Sequence, residues 1–191
     1  MNGTFRSALL LPNLFSLLRL ALTPVVGFDI VGGRYRRALV LFIVAAFTDI
    51  LDGYLARRFD LMTRVGAWLD PLTDKAMLCT IYFCLAVSGA LPVWLVALVF
   101  GRDILILLMA VVALALTSFR DFPPSRLGKF STFSQIVTAV TAMVHAARIL
   151  GDIGWILQLC ILAAATMTTM SGAHYLASGI RRLRQASTGH G

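Results

Sequence analysis

The chain has 191 residues, the length of one domain or of a single helical bundle. Hydrophobic residues make up 59% of it and the mean hydropathy is +0.84, both well above the values of an ordinary soluble domain. The net charge of +8 would suit nucleic acid, but the basic residues are distributed between apolar runs as in a membrane protein, so we expect no nucleic-acid partner.

Long apolar runs follow one another along the chain and indicate membrane-spanning helices. Six spans are predicted, near residues 8–30, 38–57, 71–89, 92–117, 130–150 and 154–179. Turn residues separate several of them, at Gly32-Gly33, Ser88-Gly89, Pro123-Pro124 and Gly151. Pro24 is expected to kink or end the first span. The predicted fold class is an all-α integral membrane protein, with six transmembrane helices in one bundle.

One membrane domain is expected over residues 1–185, followed by a disordered tail over residues 186–191. The first span has neither a basic leader nor a small-residue cleavage site, so we expect it to be retained and not removed as a signal peptide. The three cysteines, Cys79, Cys84 and Cys160, fall inside spans without metal-binding spacing and are expected to be packing residues.

The distribution of basic residues predicts the orientation. Six spans place both chain ends on one side of the bilayer. Basic residues are more numerous in the segments on that side than on the other, which holds Arg34, Arg36, Arg37 and Arg148. By the positive-inside rule, both termini are expected in the cytoplasm.

Four aspartates stand out in the stretch DILDGYLARRFDLMTRVGAWLDPLTD, and they belong to two sets of residues that each share a helical face. The first set, at i, i+3, i+4, i+7 and i+8, is Asp49, Asp52, Gly53, Ala56 and Arg57. The second, at i, i+4 and i+8, is Gly66, Asp70 and Asp74. Because the first set ends the second span and the other opens the third, the four carboxylates are predicted to converge at the cytoplasmic membrane surface.

Carboxylates gather in a low-dielectric site only when something neutralises them. Ligands that are oxygen alone favour Mg²⁺ or Mn²⁺ over zinc, and four carboxylates from two helices suit a two-metal site for phosphoryl chemistry. Gly53, Ala56 and Gly66 leave room for a bulky ligand, whose phosphates Arg57 can contact. The alternative for any one aspartate is a solvated acid at the end of a span, with the small residues serving helix packing.

The pattern D-x2-D-G-x2-A-R-x8-G-x3-D-x3-D is complete from Asp49 to Asp74 and resembles the signature of the CDP-alcohol phosphatidyltransferases. Members of that family transfer a substituted phosphate from a CDP-linked donor to an alcohol and release CMP. The resemblance implies that the four aspartates hold two divalent ions on the donor pyrophosphate and that Asp74 is the general base. It implies donor binding by Asp49, Asp52, Gly53, Ala56, Arg57 and Gly66. It also implies a homodimer in a bacterial cell membrane, with CDP-diacylglycerol as the donor and the active site facing the cytoplasm.

Two further segments concern the acceptor alcohol. PNLFSLLR, from Pro12 to Arg19, resembles the PN-x2-T-x2-R opening of the bacterial glycerophospholipid branch, with Ser16 in place of Thr. RLGKFSTFSQ, over 126–135, resembles the G-K-x-x-T segment shared by the phosphatidylglycerophosphate synthases and the cardiolipin synthases of this family. The predicted acceptor contacts are Asn13, Arg19, Arg102, Arg126 and Lys129.

The pair Arg102-Asp103 is closer to the Arg-Asp of the cardiolipin synthases than to the Arg-Glu of the phosphatidylglycerophosphate synthases. Phosphatidylglycerol is therefore the expected acceptor, with glycerol 3-phosphate as the alternative. Two acceptor assignments have structural alternatives: Arg19 can simply extend its charge to the membrane surface, and Arg102 can form a local ion pair with Asp103.

Two other classes of protein have to be weighed against an enzyme. A small cation transporter would use the aspartates as an ion path, but it predicts carboxylates spread through the bilayer depth and a repeated half. An inactive helical scaffold would keep the motif by descent, yet here all eight fixed positions of the motif are intact.

Overall fold

The computed structural model describes the backbone of residues 3–58, 64–116 and 126–188, and the side-chain surroundings of 17–48, 73–109, 111, 127–179 and 181. Regular structure in these residues is helical. The helices are α1 (Gly3–Val31), α2 (Tyr35–Arg58), α3 (Arg64–Val87), α4 (Val93–Leu116), α5 (Arg126–Ala146) and α6 (Gly154–Thr188). Each predicted span overlaps one of these helices, so the all-α fold class is confirmed.

A helix crosses a bilayer only if it is both long and apolar enough. Within the part of the chain that the structure describes, one stretch is both long and apolar enough to cross a bilayer, Gly154–Gly179 of α6. The prediction of six transmembrane spans is therefore not confirmed by this measure and stays a prediction.

The chain divides into two compact units, and residues 1–91 with 142–151 form the first. In it, α1 packs against both α2 and α3. Fully buried apolar side chains such as Val26, Ile30 and Ile81 build its core. The approach of α1 to α3 is close, since a Cβ added at Gly27 would lie 3.2 Å from the Cys84 sulfur. This packing brings the first and third helices together around the site described below.

The second unit consists of residues 92–141 and 152–191. Here α4 packs against α6. Buried polar groups join α5 to α6: the Gln135 amide donates to the Thr168 hydroxyl oxygen over 3.1 Å, and the Thr138 hydroxyl donates to the Cys160 carbonyl over 3.0 Å. Such interhelical hydrogen bonds are typical of helices that pack within a bilayer.

Three helix ends share one hydrogen-bonding pattern with a left-handed residue just past the helix. Gly33 has φ 72° after α1 and Gly89 has φ 76° after α3, as the turn prediction from these glycines suggests. After α5 the same position is held by Arg148, with φ 52°. Its amide donates to the His145 carbonyl and the next amide to the Val144 carbonyl. No glycine marks this position after α5 in the sequence, because Arg148 occupies it.

Helices α1 and α6 both extend further than the sequence predicts. Pro24 does not end the first helix, because α1 continues to Val31. The end of the chain was expected to be disordered from residue 186, but α6 remains helical to Thr188. Residues 189–191 lie outside the described residues, so the disordered tail stays a prediction for them.

The basic cluster that follows α1 is partly neutralised within the first unit. Asp29 is 2% exposed, and its two carboxylate oxygens pair with Arg34 Nε at 2.7 Å and Arg37 Nε at 3.1 Å. The Asp29 carbonyl also accepts the Arg34 amide at 2.8 Å. Two of the four arginines that count against the predicted orientation therefore have a specific structural role at the α1–α2 connection.

Candidate active site

The motif aspartates lie on two helices of the first unit. Asp49 and Asp52 belong to the last turns of α2, and Asp70 and Asp74 to the first half of α3. The helical backbone thus supports the predicted spacing, in which each pair shares a face. The side chains of seven motif residues lie outside the described residues: Asp49, Asp52, Gly53, Ala56, Arg57, Gly66 and Asp70. Their convergence and their roles stay predictions.

Asp74 is the motif residue whose side chain the structure describes. It is 51% exposed, and its Oδ1 forms an ion pair with Arg19 Nη1 of α1. The neighbouring Thr73 is buried at 2% exposure. The carboxylate therefore lies at the surface of the first unit, with a positive charge on its inner side.

Arg19 lies on the inward face of α1. Its side chain is 3% exposed, and buried residues follow it at i+4, i+7 and i+11, namely Thr23, Val26 and Ile30. By contrast, Leu17, Leu18 and Leu20 are between 43% and 53% exposed. The alternative in which Arg19 extends its charge to the membrane surface does not fit this orientation, because the side chain is directed to α3 instead.

Arg102 has specific partners in the second unit. Its Nη1 donates to Asp103 Oδ1 at 2.9 Å and its Nη2 to the Ser171 hydroxyl at 2.7 Å. The guanidinium carbon lies 5.8 Å from the centre of the Tyr175 ring, within the range of a cation–π contact. The local ion pair considered from the sequence is thus present, while the role of Arg102 toward an acceptor stays a prediction.

The remaining acceptor candidates are placed only in part. Lys129 is exposed on the first turn of α5. Asn13 lies in α1 and Arg126 begins α5, but both side chains lie outside the described residues. The structure brings one acceptor candidate with a described side chain, Arg19, to the motif residue Asp74 of the same unit.

Sequence reasoning did not single out the buried polar residues of α5. Ser131, Gln135 and Thr138 are each 0% exposed. Their i, i+4, i+7 spacing is the signal that was available, because it marks one face of a helix. The Gln135 amide also contacts the Ser131 hydroxyl at 3.3 Å, which extends the hydrogen-bonded connection from α5 to Thr168 of α6.

The proposed metal ligands are the four aspartates of the motif. No group of three or more His, Cys, Asp or Glu that could hold a metal ion occurs among the described residues, which omit three of the four aspartate side chains. The chemistry of the proposed donors suits Mg²⁺ or Mn²⁺, because all four are carboxylates. Half-exposed Asp74 retains acceptor capacity at its second oxygen.

Paired aspartates lie near the end of α2 and the beginning of α3, and carboxylates in pairs suit divalent ions and phosphoryl chemistry. Comparison with known proteins agrees: the family model described as CDP-alcohol phosphatidyltransferase matches residues 9–172. The chain belongs to the CDP-alcohol phosphatidyltransferase family. The family inferred from the motif is thereby confirmed.

Curated relatives of two kinds are similar to the chain. A Schizosaccharomyces pombe cardiolipin synthase (CMP-forming)/mitochondrial hydrolase fusion protein is 36% identical over 65% of this chain and 20% of its own length. A cardiolipin synthase (CMP-forming) of Rattus norvegicus is 31% identical over 78% of this chain and 52% of its own. A probable phosphatidylglycerophosphate synthase of Mycobacterium tuberculosis is 32% identical over 90% of this chain and 82% of its own. The matched part is thus a fifth of the first relative and about half of the second.

Proposed function

We propose that the protein is an integral membrane phosphatidyltransferase of phospholipid biosynthesis. It transfers the phosphatidyl group of CDP-diacylglycerol to the hydroxyl of a glycerol-type acceptor and releases CMP. The observation that carries this proposal is the complete aspartate motif from Asp49 to Asp74, located on α2 and α3 within a chain of this family.

The reaction exchanges one phosphorus–oxygen bond for another. The acceptor oxygen attacks the phosphorus that bears the diacylglycerol, and the bond from that phosphorus to the oxygen of CMP breaks. The hydroxyl proton leaves the acceptor and is taken by Asp74 as general base. The half-exposed carboxylate of Asp74 supports this role, since a base has to reach the proton that it removes.

The proposed ligands of two Mg²⁺ or Mn²⁺ ions are Asp49, Asp52, Asp70 and Asp74. Bound there, the ions would neutralise the donor pyrophosphate and the charge that develops on the leaving CMP. Gly53, Ala56 and Gly66 are proposed to admit the nucleotide because they carry small or no side chains, and Arg57 is proposed to contact its phosphates.

We further propose that the six helices all cross the membrane, with both termini and the site at the cytoplasmic side of a bacterial cell membrane. Large apolar side chains exposed on each helix support this, because lipid can cover them. They include Phe28, Phe47, Phe83, Leu107, Phe133 and Leu162, each more than half exposed. A homodimer is proposed from the family resemblance.

The test is acceptor-dependent CMP release. Purified protein in detergent is mixed with CDP-diacylglycerol, Mg²⁺ and each candidate acceptor in turn, and CMP is measured. We expect CMP to appear only when an acceptor hydroxyl is supplied. Release at the same rate without any acceptor would show hydrolysis and would exclude the transferase.

Between acceptors, phosphatidylglycerol is proposed and glycerol 3-phosphate is the alternative. The proposal rests on the Arg102-Asp103 pair, which resembles the cardiolipin synthase branch. The structure supports a tight association of the two side chains at 2.9 Å. The guanidinium charge is thus already balanced, which suits a singly charged phosphodiester better than a dianionic phosphomonoester.

In a competition between equal amounts of both acceptors, we expect the wild type to consume phosphatidylglycerol first. Lys129→Ala removes an exposed cation and should weaken use of the phosphomonoester by about tenfold, the value of one charge-assisted hydrogen bond. Arg181→Ala, which removes an exposed cation of α6 outside the proposed site, is the matched control and should leave the preference unchanged. Consumption of glycerol 3-phosphate while phosphatidylglycerol is ignored would reverse the acceptor assignment.

A further inference from the structure

The environment of Arg19 is unusual for a residue that was expected to bind the acceptor. Its side chain is 3% exposed and lies on the face of α1 that also buries Thr23 and Val26. The Thr23 hydroxyl donates to the Arg19 carbonyl at 2.8 Å, a contact between residues one helical turn apart on this face. A substrate that enters from water or lipid would therefore contact little of the Arg19 guanidinium.

One partner of Arg19 is a motif carboxylate. Arg19 Nη1 pairs with Oδ1 of Asp74, which is 51% exposed, so the two charges meet at the boundary between the α1–α3 interior and the surface. A buried guanidinium requires a counter-charge. Because a carboxylate offers two oxygens, pairing through Oδ1 leaves acceptor capacity at Oδ2 for the reaction.

From this geometry we infer that Arg19 is a positioning residue for Asp74 and not an acceptor contact. It anchors the carboxylate from the buried side and balances part of the motif's negative charge before divalent ions bind. The inference rests on the proposed function for the role of Asp74. The positive charge of Arg19 should weaken metal binding, because it repels divalent ions near the aspartates. The same side chain should raise turnover, because it holds Asp74 in place.

The test compares Arg19→Gln and Arg19→Lys with the wild type as full-length protein in detergent. Titration with Mn²⁺ alone, followed by electron paramagnetic resonance of the free ion, gives the metal affinity. Arg19→Gln removes a positive charge near the aspartates and should tighten Mn²⁺ binding about fivefold. The same variant should lower kcat about 100-fold through misplacement of Asp74, with acceptor KM changed by less than about threefold. Arg19→Lys keeps the charge and should restore the wild-type Mn²⁺ affinity and most of the turnover.

Arg34→Gln is the matched control, because it breaks another Arg–Asp pair of the same unit, with Asp29, outside the motif. It should leave Mn²⁺ affinity and acceptor KM at wild-type values. If Arg19→Gln loses Mn²⁺ affinity, turnover and Tm together, Arg19 has a general structural role and the inference is wrong. A rise of more than tenfold in acceptor KM with kcat retained would instead return Arg19 to acceptor binding. Failure of the wild type to release CMP would remove the proposed function, while the Mn²⁺ titration would still test the pairing.

Discussion

Asp49→Asn and Asp70→Asn should each reduce CMP release by about 10³-fold or more. Each change replaces a charged oxygen ligand with a neutral amide, and metal ions contribute several kcal/mol of transition-state stabilisation in phosphoryl chemistry. Donor binding should weaken as well, because the ions are proposed to hold the pyrophosphate. Initial rates of CMP release and the affinity for CDP-diacylglycerol measure the two effects.

Chelation tests the same assignment without a mutation. EDTA should abolish activity of the wild type, and added Mg²⁺ or Mn²⁺ should restore it, but neither ion should restore the Asp70→Asn variant fully. Asp152→Asn is the matched control for the exchange of aspartate for asparagine. Asp152 is exposed and lies outside the motif. Its Oδ1 accepts the Gly154 amide at 3.0 Å, and an asparagine oxygen can accept the same hydrogen bond. Activity that survives thorough chelation would exclude the metal assignment.

Asp74→Asn should lower turnover by about 10²–10⁴-fold, the contribution expected of a general base. Donor affinity should fall less than in Asp49→Asn, since Asp74 is proposed to act mainly on the acceptor proton. The asparagine side chain has nearly the same shape, so loss of the charge and not of volume is tested. Single-turnover rates at saturating donor separate the chemical step from binding.

The two aspartate variants therefore have to be compared directly. Equal loss of donor affinity in Asp74→Asn and Asp49→Asn would mean that Asp74 serves chiefly as a metal ligand and that the base lies elsewhere. A fall in turnover with donor affinity preserved agrees with the base. Because Asp74 also pairs with Arg19, its variant should be checked for Tm beside the catalytic measurements.

Apolar runs and turn residues were enough to predict the order of the helices. Gly33 and Gly89 mark helix ends because only glycine adopts a positive φ without steric cost, and both occupy that conformation. The end of α5 was less visible, since Arg148 takes the same position with a side chain. Pro24 gave the opposite error: a proline often ends a helix, but α1 continues past Pro24 to Val31.

The motif spacing predicted which helices carry the aspartates, but not what surrounds them. The inward direction of Arg19 depends on how α1 packs against α3, and a helix that is apolar on all sides does not reveal its buried face. The same holds for Arg102, whose partner Ser171 lies 69 residues away in the chain. Local patterns thus predicted which helices carry the motif, while the partners of Arg19 and Arg102 required tertiary structure.

The most direct measurement of the central claim follows the phosphorus atom of the donor. CDP-diacylglycerol is prepared with radioactive phosphorus at the phosphate that bears the diacylglycerol, and is incubated with purified protein, Mg²⁺ and acceptor. Phosphatidyl transfer predicts that the label appears in the new phospholipid, in amounts equal to the unlabelled CMP released. Label in the released nucleotide, or in phosphatidic acid formed regardless of the acceptor, would contradict a phosphatidyltransferase.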